Sequence, residues 1–138
     1  MVQRSRCFGL LAACLAILPA AYAAPPGTKS VQFVVLVPDA KADQPERIFL
    51  ASSADGWNEQ GRPLDRVAPG VYAATLAVAP GVLEYKLTRA GSWATVEKAR
   101  GGDELPNGAV TIDSKLDEQV IVHIVARWAD RPAPEQRR

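Results

Sequence analysis

Cysteine is almost missing from this chain. Its two copies, Cys7 and Cys14, both fall within the first 23 residues, so the remainder holds no thiol for a disulfide, a zinc site or a cysteine nucleophile. Histidine is scarcer still. His123 is the only one, and a single imidazole without thiols does not make the usual zinc set. The serines Ser52, Ser53, Ser92 and Ser114 stand without the glycine-flanked elbow of the hydrolases. Asp103, Glu104, Asp113, Asp117 and Glu118 lack the alternating spacing of a calcium loop and read as solvated loop carboxylates. Glycoside hydrolysis needs two carboxyl groups about 5 to 10 Å apart in a deep cleft, for which a domain this small has little room. No catalytic residue, metal site or cofactor is assigned. His123, inside an apolar run, reads as a strand residue that faces solvent or is satisfied in the core.

A long hydrophobic run is also absent, with one short exception at the start. Arg4 and Arg6 precede an apolar stretch over 7–18, and Ala21-Tyr22-Ala23 offers the small residues that signal peptidase reads. About a dozen apolar residues are too few for the roughly 20 of a membrane-spanning helix. The reading is a cleaved signal peptide ending at Ala23, hence a periplasmic or secreted product with no membrane span. Leu11-Ala12-Ala13-Cys14 resembles a lipoprotein cleavage box, the alternative. The apolar stretch before Cys14 would then be very short, and 15–24 stays apolar where a lipid tether is polar.

Cleavage leaves 115 of the 138 residues, enough for one domain. Without Arg4 and Arg6, 14 basic residues face 15 acidic ones, a net charge of −1. That balance leaves no electrostatic footprint for nucleic acid or anionic lipid. The basic pair Arg137-Arg138 reads as a frayed terminus.

What is present is a series of short Val-, Ile-, Leu-, Tyr- and Thr-rich runs separated by Gly, Pro, Asp and Asn. Strands are predicted over 31–37, 47–51, 71–78, 83–89, 93–97, 109–113 and 118–127, with no capped helical period anywhere. Residues 71–78 and the last run alternate as half-buried strands do. The fold class is all-β, an immunoglobulin-like β-sandwich of about seven strands. The organisation is a signal peptide over 1–23, a linker over 24–30, a module over 31–130 and a disordered tail over 131–138.

The placing of the aromatics is left unexplained by folding alone. Trp57 lies in the polar turn Asp55-Gly56-Trp57-Asn58, and Trp93 follows Gly91-Ser92. Large rings on loops are costly to solvate unless packed or partnered. A pyranose is one such partner, with an apolar face for the indole and rim hydroxyls for donors and acceptors such as Lys86 and Asn107.

The turn Asp55-Gly56-Trp57-Asn58, then Glu84-Tyr85-Lys86, Gly91-Ser92-Trp93 and Leu105-Pro106-Asn107 resemble, in order and spacing, the α-glucan-binding modules. These include the starch-binding domains of amylolytic enzymes and the glycogen-binding domain of the AMP-activated protein kinase β subunit. The resemblance covers roughly 31–130. It implies a non-catalytic module in which Trp57 and Trp93 are stacking platforms and Lys86 and Asn107 bond sugar hydroxyls, with starch- or glycogen-type polysaccharide as partner. Relatives carry an aromatic where this chain has Ala54, so the Trp57 loop is expected to be less firmly packed. Trp128 resembles a closing tryptophan and reads as packing. The alternative keeps the fold for protein contact, as an accessory subunit of a periplasmic enzyme.

Overall fold

Alternation decides which side of each strand is buried. In β1 (Lys29–Leu36), Val31, Phe33 and Val35 are fully buried while Gln32 is exposed, the period of two that a pleated backbone imposes. The computed structural model describes residues 24–132. The expected signal peptide and the Arg137-Arg138 tail lie outside the described residues.

After β1 come β2 (Ile48–Ser52), β3 (Arg62–Ala68), β4 (Val71–Val78), β5 (Gly81–Arg89), a 3-10 turn at Trp93–Thr95, β6 (Glu97–Lys98), β7 (Gly108–Ile112), β8 (Glu118–Ile124) and β9 (Arg127–Trp128). Seven of these form one hydrogen-bonded series, β7-β5-β2-β3-β4-β1-β8, and β6 pairs with β9. The β1–β8 pairing is parallel and the others are antiparallel.

The series becomes a sandwich because β3 turns a corner. Its first residues, Arg62 to Leu64, pair with Leu50 to Ile48 of β2, while Asp65 and Arg66 pair with Ala73 and Tyr72 of β4. An irregularity follows between Arg66 and Ala68, the kind of break by which a strand passes from one layer to the other. One layer is thus β7-β5-β2 with the start of β3, and the other is the end of β3 with β4-β1-β8. The architecture is an immunoglobulin-like β-sandwich.

Between the layers, Phe33, Val35 and Tyr72 from one side meet Ile48, Leu50, Tyr85 and Leu87 from the other. Phe33 and Tyr85 pack edge to face, with ring centroids 5.0 Å apart and planes at 70°. Each buried aliphatic or aromatic side chain contributes about 1.5–3 kcal/mol by leaving water, and this core holds the described residues, which contain no cysteine.

Three stretches differ from the sequence-based expectation. Residues 93–97 form a 3-10 turn and only then the two-residue β6, because Ser92 caps the turn by accepting the Ala94 N–H. β3 is an unpredicted strand. It contains Pro63, only Leu64 is buried in it, and it therefore shows no apolar alternation. The predicted 118–127 strand also divides, into β8 and β9, where the Glu97 carboxylate takes the Ala126 N–H out of any ladder.

Candidate functional site

The floor of the site is the outer side of the β2–β5 pair. Every residue of β2 is buried; Ile48 and Leu50 enter the core, whereas Phe49 and Ala51 face the other way. Arg47 lies over the Phe49 ring at 5.2 Å. Thr88, the ladder partner of Phe49, donates its hydroxyl to the Glu59 carbonyl at 2.7 Å. The loop after β2 is thereby drawn back over this face.

That loop carries Trp57 in a conformation the backbone resists. Gly56 and Trp57 both have positive φ, 71° and 64°, and the left-handed region costs a non-glycine residue roughly 1–2 kcal/mol. The carboxylate of Asp55 offsets this. Its Oδ1 accepts from the backbone N–H groups of Ser52 at 3.0 Å, Trp57 at 3.1 Å and Asn58 at 3.3 Å, and the Ser52 carbonyl takes the Trp57 N–H at 3.0 Å. Gly61 closes the loop so tightly that a Cβ there would lie 1.9 Å from Asp55 Oδ2. These bonds to Asp55 tie the loop together beside the small, exposed Ala54. Trp57 itself is half-buried.

The Trp93 turn is built separately and then fastened to the first loop. Ala90 and Gly91 take successive positive φ values of 58° and 70°, which reverses the chain after β5. Trp93 donates its backbone N–H to Glu59 Oε2 at 2.8 Å, and Gln60 Nε2 donates to the Gly91 carbonyl at 3.3 Å. A side chain at Gly91 would meet Gln60 Cγ at 2.6 Å. Two segments some thirty residues apart in sequence are therefore held on one face, and Trp93 is 40% exposed there.

Lys86 and Thr88 point to the same side of β5, about 7 Å apart by strand geometry. The Lys86 ammonium donates to the Leu105 carbonyl at 2.8 Å, which seats the turn bearing Asn107. An ammonium has three N–H donors, and this bond uses one. Asn107 is exposed. Gly108 lies against the Tyr85 ring, where a Cβ would approach Cζ to 2.5 Å.

Beneath that turn runs a partly buried chain of polar groups. The Tyr85 hydroxyl meets His123 Nδ1 at 2.9 Å, His123 Nε2 meets Glu97 Oε2 at 2.8 Å, and Glu97 Oε1 accepts the Ala126 N–H at 3.0 Å. His123 is thus a histidine satisfied on both ring nitrogens. Burial, and secondly the Glu97 carboxylate, push the Tyr85 hydroxyl above its usual pKa.

Sequence reasoning singled out Trp57, Trp93, Lys86 and Asn107 but not Asp55, Glu59 or Gln60, which position them. The Asp-Gly pair is a readable signal, since an aspartate commonly accepts from a backbone N–H two residues on. Nothing local marks Glu59, whose partner lies at Trp93.

The arrangement suits shallow contact. Open clefts of about 400 Å³, between Lys41, Glu46, Arg47, Arg89 and Arg131, and about 580 Å³, around Thr111 and Leu116, are lined by none of the four residues. Among the described residues, no three His, Cys, Asp or Glu side chains gather as a metal site would require. Trp128 is buried in the core.

No protein-family model matches the chain. Over 110 residues it is 37% identical to part of an alpha-amylase from Niallia circulans, a match covering 77% of this chain and 8% of that protein. Over 104 residues it is 32% identical to part of an amylopullulanase from Thermoanaerobacter thermohydrosulfuricus, covering 74% and 7%. The chain spans less than a tenth of the length of these relatives. Among solved structures, a glycoside hydrolase family 15 glucoamylase from Hypocrea jecorina shares the fold, with a TM-score of 0.54 at 23% identity over 77% of this chain and 18% of that one. The chain is therefore similar to a segment of amylolytic enzymes.

Proposed function

We propose that the chain is an exported, non-catalytic module that binds α-glucan of the starch or glycogen type. Sugar rings stack on Trp57 and Trp93, while the free N–H donors of Lys86 and the amide of Asn107 bond to rim hydroxyls. The observation that carries this reading is the Glu59–Gln60 fastening, which holds two tryptophan loops on one open face before any ligand arrives. The similarity to segments of amylolytic enzymes supports the ligand class.

Aromatic contacts contribute about 1 kcal/mol each beyond burial, and net hydrogen bonds a similar amount. A shallow two-platform site then reaches about 10 µM to 1 mM, with retention on a polymer arising from repeated sites. The test is migration through native gels containing glycogen, amylopectin or dextran, beside the Trp57→Ala/Trp93→Ala double variant and an inert protein. Retardation by glycogen or amylopectin that the double variant loses is the expected result. Equal, free migration of both forms in every gel would sink the sugar reading and turn attention to docking of a periplasmic enzyme through the same face.

A further inference from the structure

A second concavity, lined by none of the four residues of the glucan site, lies at one end of the sandwich. It is an open cleft of about 400 Å³, within the size range of small-ligand sites. Arg89 has the strand parity of the core residues Leu83, Tyr85 and Leu87, so its side chain leaves β5 on the inner side, where the two layers end. There it meets the chain before β2, with Lys41, Glu46 and Arg47, and the chain after β9, with Arg131. Three bonds fix this frame. Glu46 donates its backbone N–H to the buried Tyr72 hydroxyl at 3.0 Å, Ala90 donates to the Arg47 carbonyl at 2.7 Å, and Arg131 donates to the Trp128 carbonyl at 3.1 Å.

The charges of the cleft do not cancel. Arg131 pairs with Glu46 and Arg89 with Asp130, while Lys41 and Arg47 have no ion pair among the described residues. Four cations against two carboxylates leave a balance of +2. Asp39 and Asp43, on the same loop, are exposed and do not line the cleft. The two ion pairs are also incomplete. The Glu46 side chain is only 7% exposed, yet its Oε2 has no hydrogen-bond partner among the described residues, and neither has Nε of Arg89. A bare buried acceptor and a bare buried donor in one wall are costly. Together they suit a partner that both donates and accepts.

We propose that this cleft binds a sugar phosphate, as a second site that does not depend on the glucan reading. The charge selects the phosphate. A phosphate monoester carries about −1.5 to −2 at pH 7 and three acceptor oxygens, which answers a balance of +2, whereas a carboxylate leaves one cation unmatched. Arginine forks and a lysine are the side chains suited to it, and Arg47, lying over the Phe49 ring, keeps its N–H edge for the anion. Glu46 selects the sugar, because a hydroxyl donates to Oε2 and a phosphate dianion has no proton to give. Oε2 and the Arg89 Nε lie beneath the cleft surface. Outward rotation of the Arg131 side chain, which is 37% exposed, brings them to the ligand.

The test is titration calorimetry at low ionic strength on the full gene product, purified as the cell delivers it, with glucose 6-phosphate, inorganic phosphate and glucose. Glucose 6-phosphate should bind with a dissociation constant on the order of 100 µM, inorganic phosphate at least about fivefold more weakly, and glucose not measurably. The same values are expected in Trp57→Ala/Trp93→Ala, which keeps sugar stacking at the glucan site out of the reading. Lys41→Ala/Arg47→Ala, at two exposed positions, should weaken glucose 6-phosphate by about tenfold or more, with circular dichroism as the folding control. In Glu46→Gln the amide oxygen keeps Arg131 and the NH2 takes the place of Oε2, so glucose 6-phosphate should fall to the level of inorganic phosphate. Native gels containing a phosphate-bearing amylopectin, beside the same polymer with its phosphate removed, identify the source. Extra retardation of the double tryptophan variant by the first assigns a phosphate carried on polysaccharide, and its absence assigns a free sugar phosphate. No heat from glucose 6-phosphate, an affinity unchanged in Lys41→Ala/Arg47→Ala, or inorganic phosphate bound as tightly as glucose 6-phosphate by wild type would overturn the proposal.

Discussion

Replacing Asp55 by alanine tests how the Trp57 loop is held. Three backbone N–H groups lose the carboxylate, and of these the Trp57 N–H keeps the Ser52 carbonyl. Ser52 is buried, so its N–H is left without water, at a cost of about 1–3 kcal/mol. The Asn58 N–H lies on an exposed loop and rehydrates, losing about 0.5–1 kcal/mol, and the Trp57 N–H loses less because it still donates to the Ser52 carbonyl. Freed of the cage, Trp57 relaxes from its positive φ and returns roughly 1 kcal/mol. The net is a destabilisation of about 2 kcal/mol. With a urea slope near 2 kcal/mol/M, the unfolding midpoint falls by about 1 M. Asp55→Asn keeps an oxygen at the same place, though an uncharged one, and should lose less than half as much. Urea denaturation followed by circular dichroism reads both variants, and retardation by glycogen in native gels should weaken by about tenfold or less in Asp55→Ala. If Asp55→Ala unfolds within about 0.2 M of wild type, the carboxylate does not hold this loop and the reasoning is wrong.

Gly108→Ala drives a Cβ toward the Tyr85 ring, which is fixed by Phe33 on one side and His123 on the other. The backbone must yield, with a loss of about 1–3 kcal/mol, whereas Gly101→Ala, which meets only Asp103 at 3.5 Å, should stay within about 0.5 kcal/mol in the same denaturation assay. The Tyr85 hydroxyl, whose pKa is raised, makes stability fall with alkaline pH. The unfolded chain releases that proton near pH 10 while the folded chain still holds it, so the contribution present below pH 10 is lost as pH climbs toward the folded value. Unfolding midpoints measured from pH 8 to 11 should fall more steeply in wild type than in Tyr85→Phe, and parallel curves would refute the assignment.

The legible part of the fold was the part written in local pattern. β4 runs over 71–78, as its alternation demanded, and β1, β2, β5 and β7 lie within two residues of their expected bounds at each end. β3 escaped because a corner strand divides its neighbours between two layers and buries one residue, which leaves no period to read. The run at 93–97 failed for a different reason. Its residues suit a strand, but the Ser92 cap and the Glu59 carboxylate claim the N–H groups that a ladder would need.

The same division holds for the site. Tryptophans in Gly-rich polar turns, a lysine on an alternating strand and an asparagine after proline are local facts, and they were enough to single out Trp57, Trp93, Lys86 and Asn107. Sequence alone also determined that the core must serve without disulfides and that the chain is all-β, since composition and period two are properties of neighbours along the chain. Tertiary structure decided the rest: that Glu59 and Gln60 fasten one tryptophan loop to the other, that Lys86 spends one donor on Leu105, that His123 bridges Tyr85 and Glu97, and that Val120, Val122 and Ile124 form a bare face. Each of these depends on residues brought together from distant positions. The hydrogen bonds and burial that define them exist only once the two layers have closed.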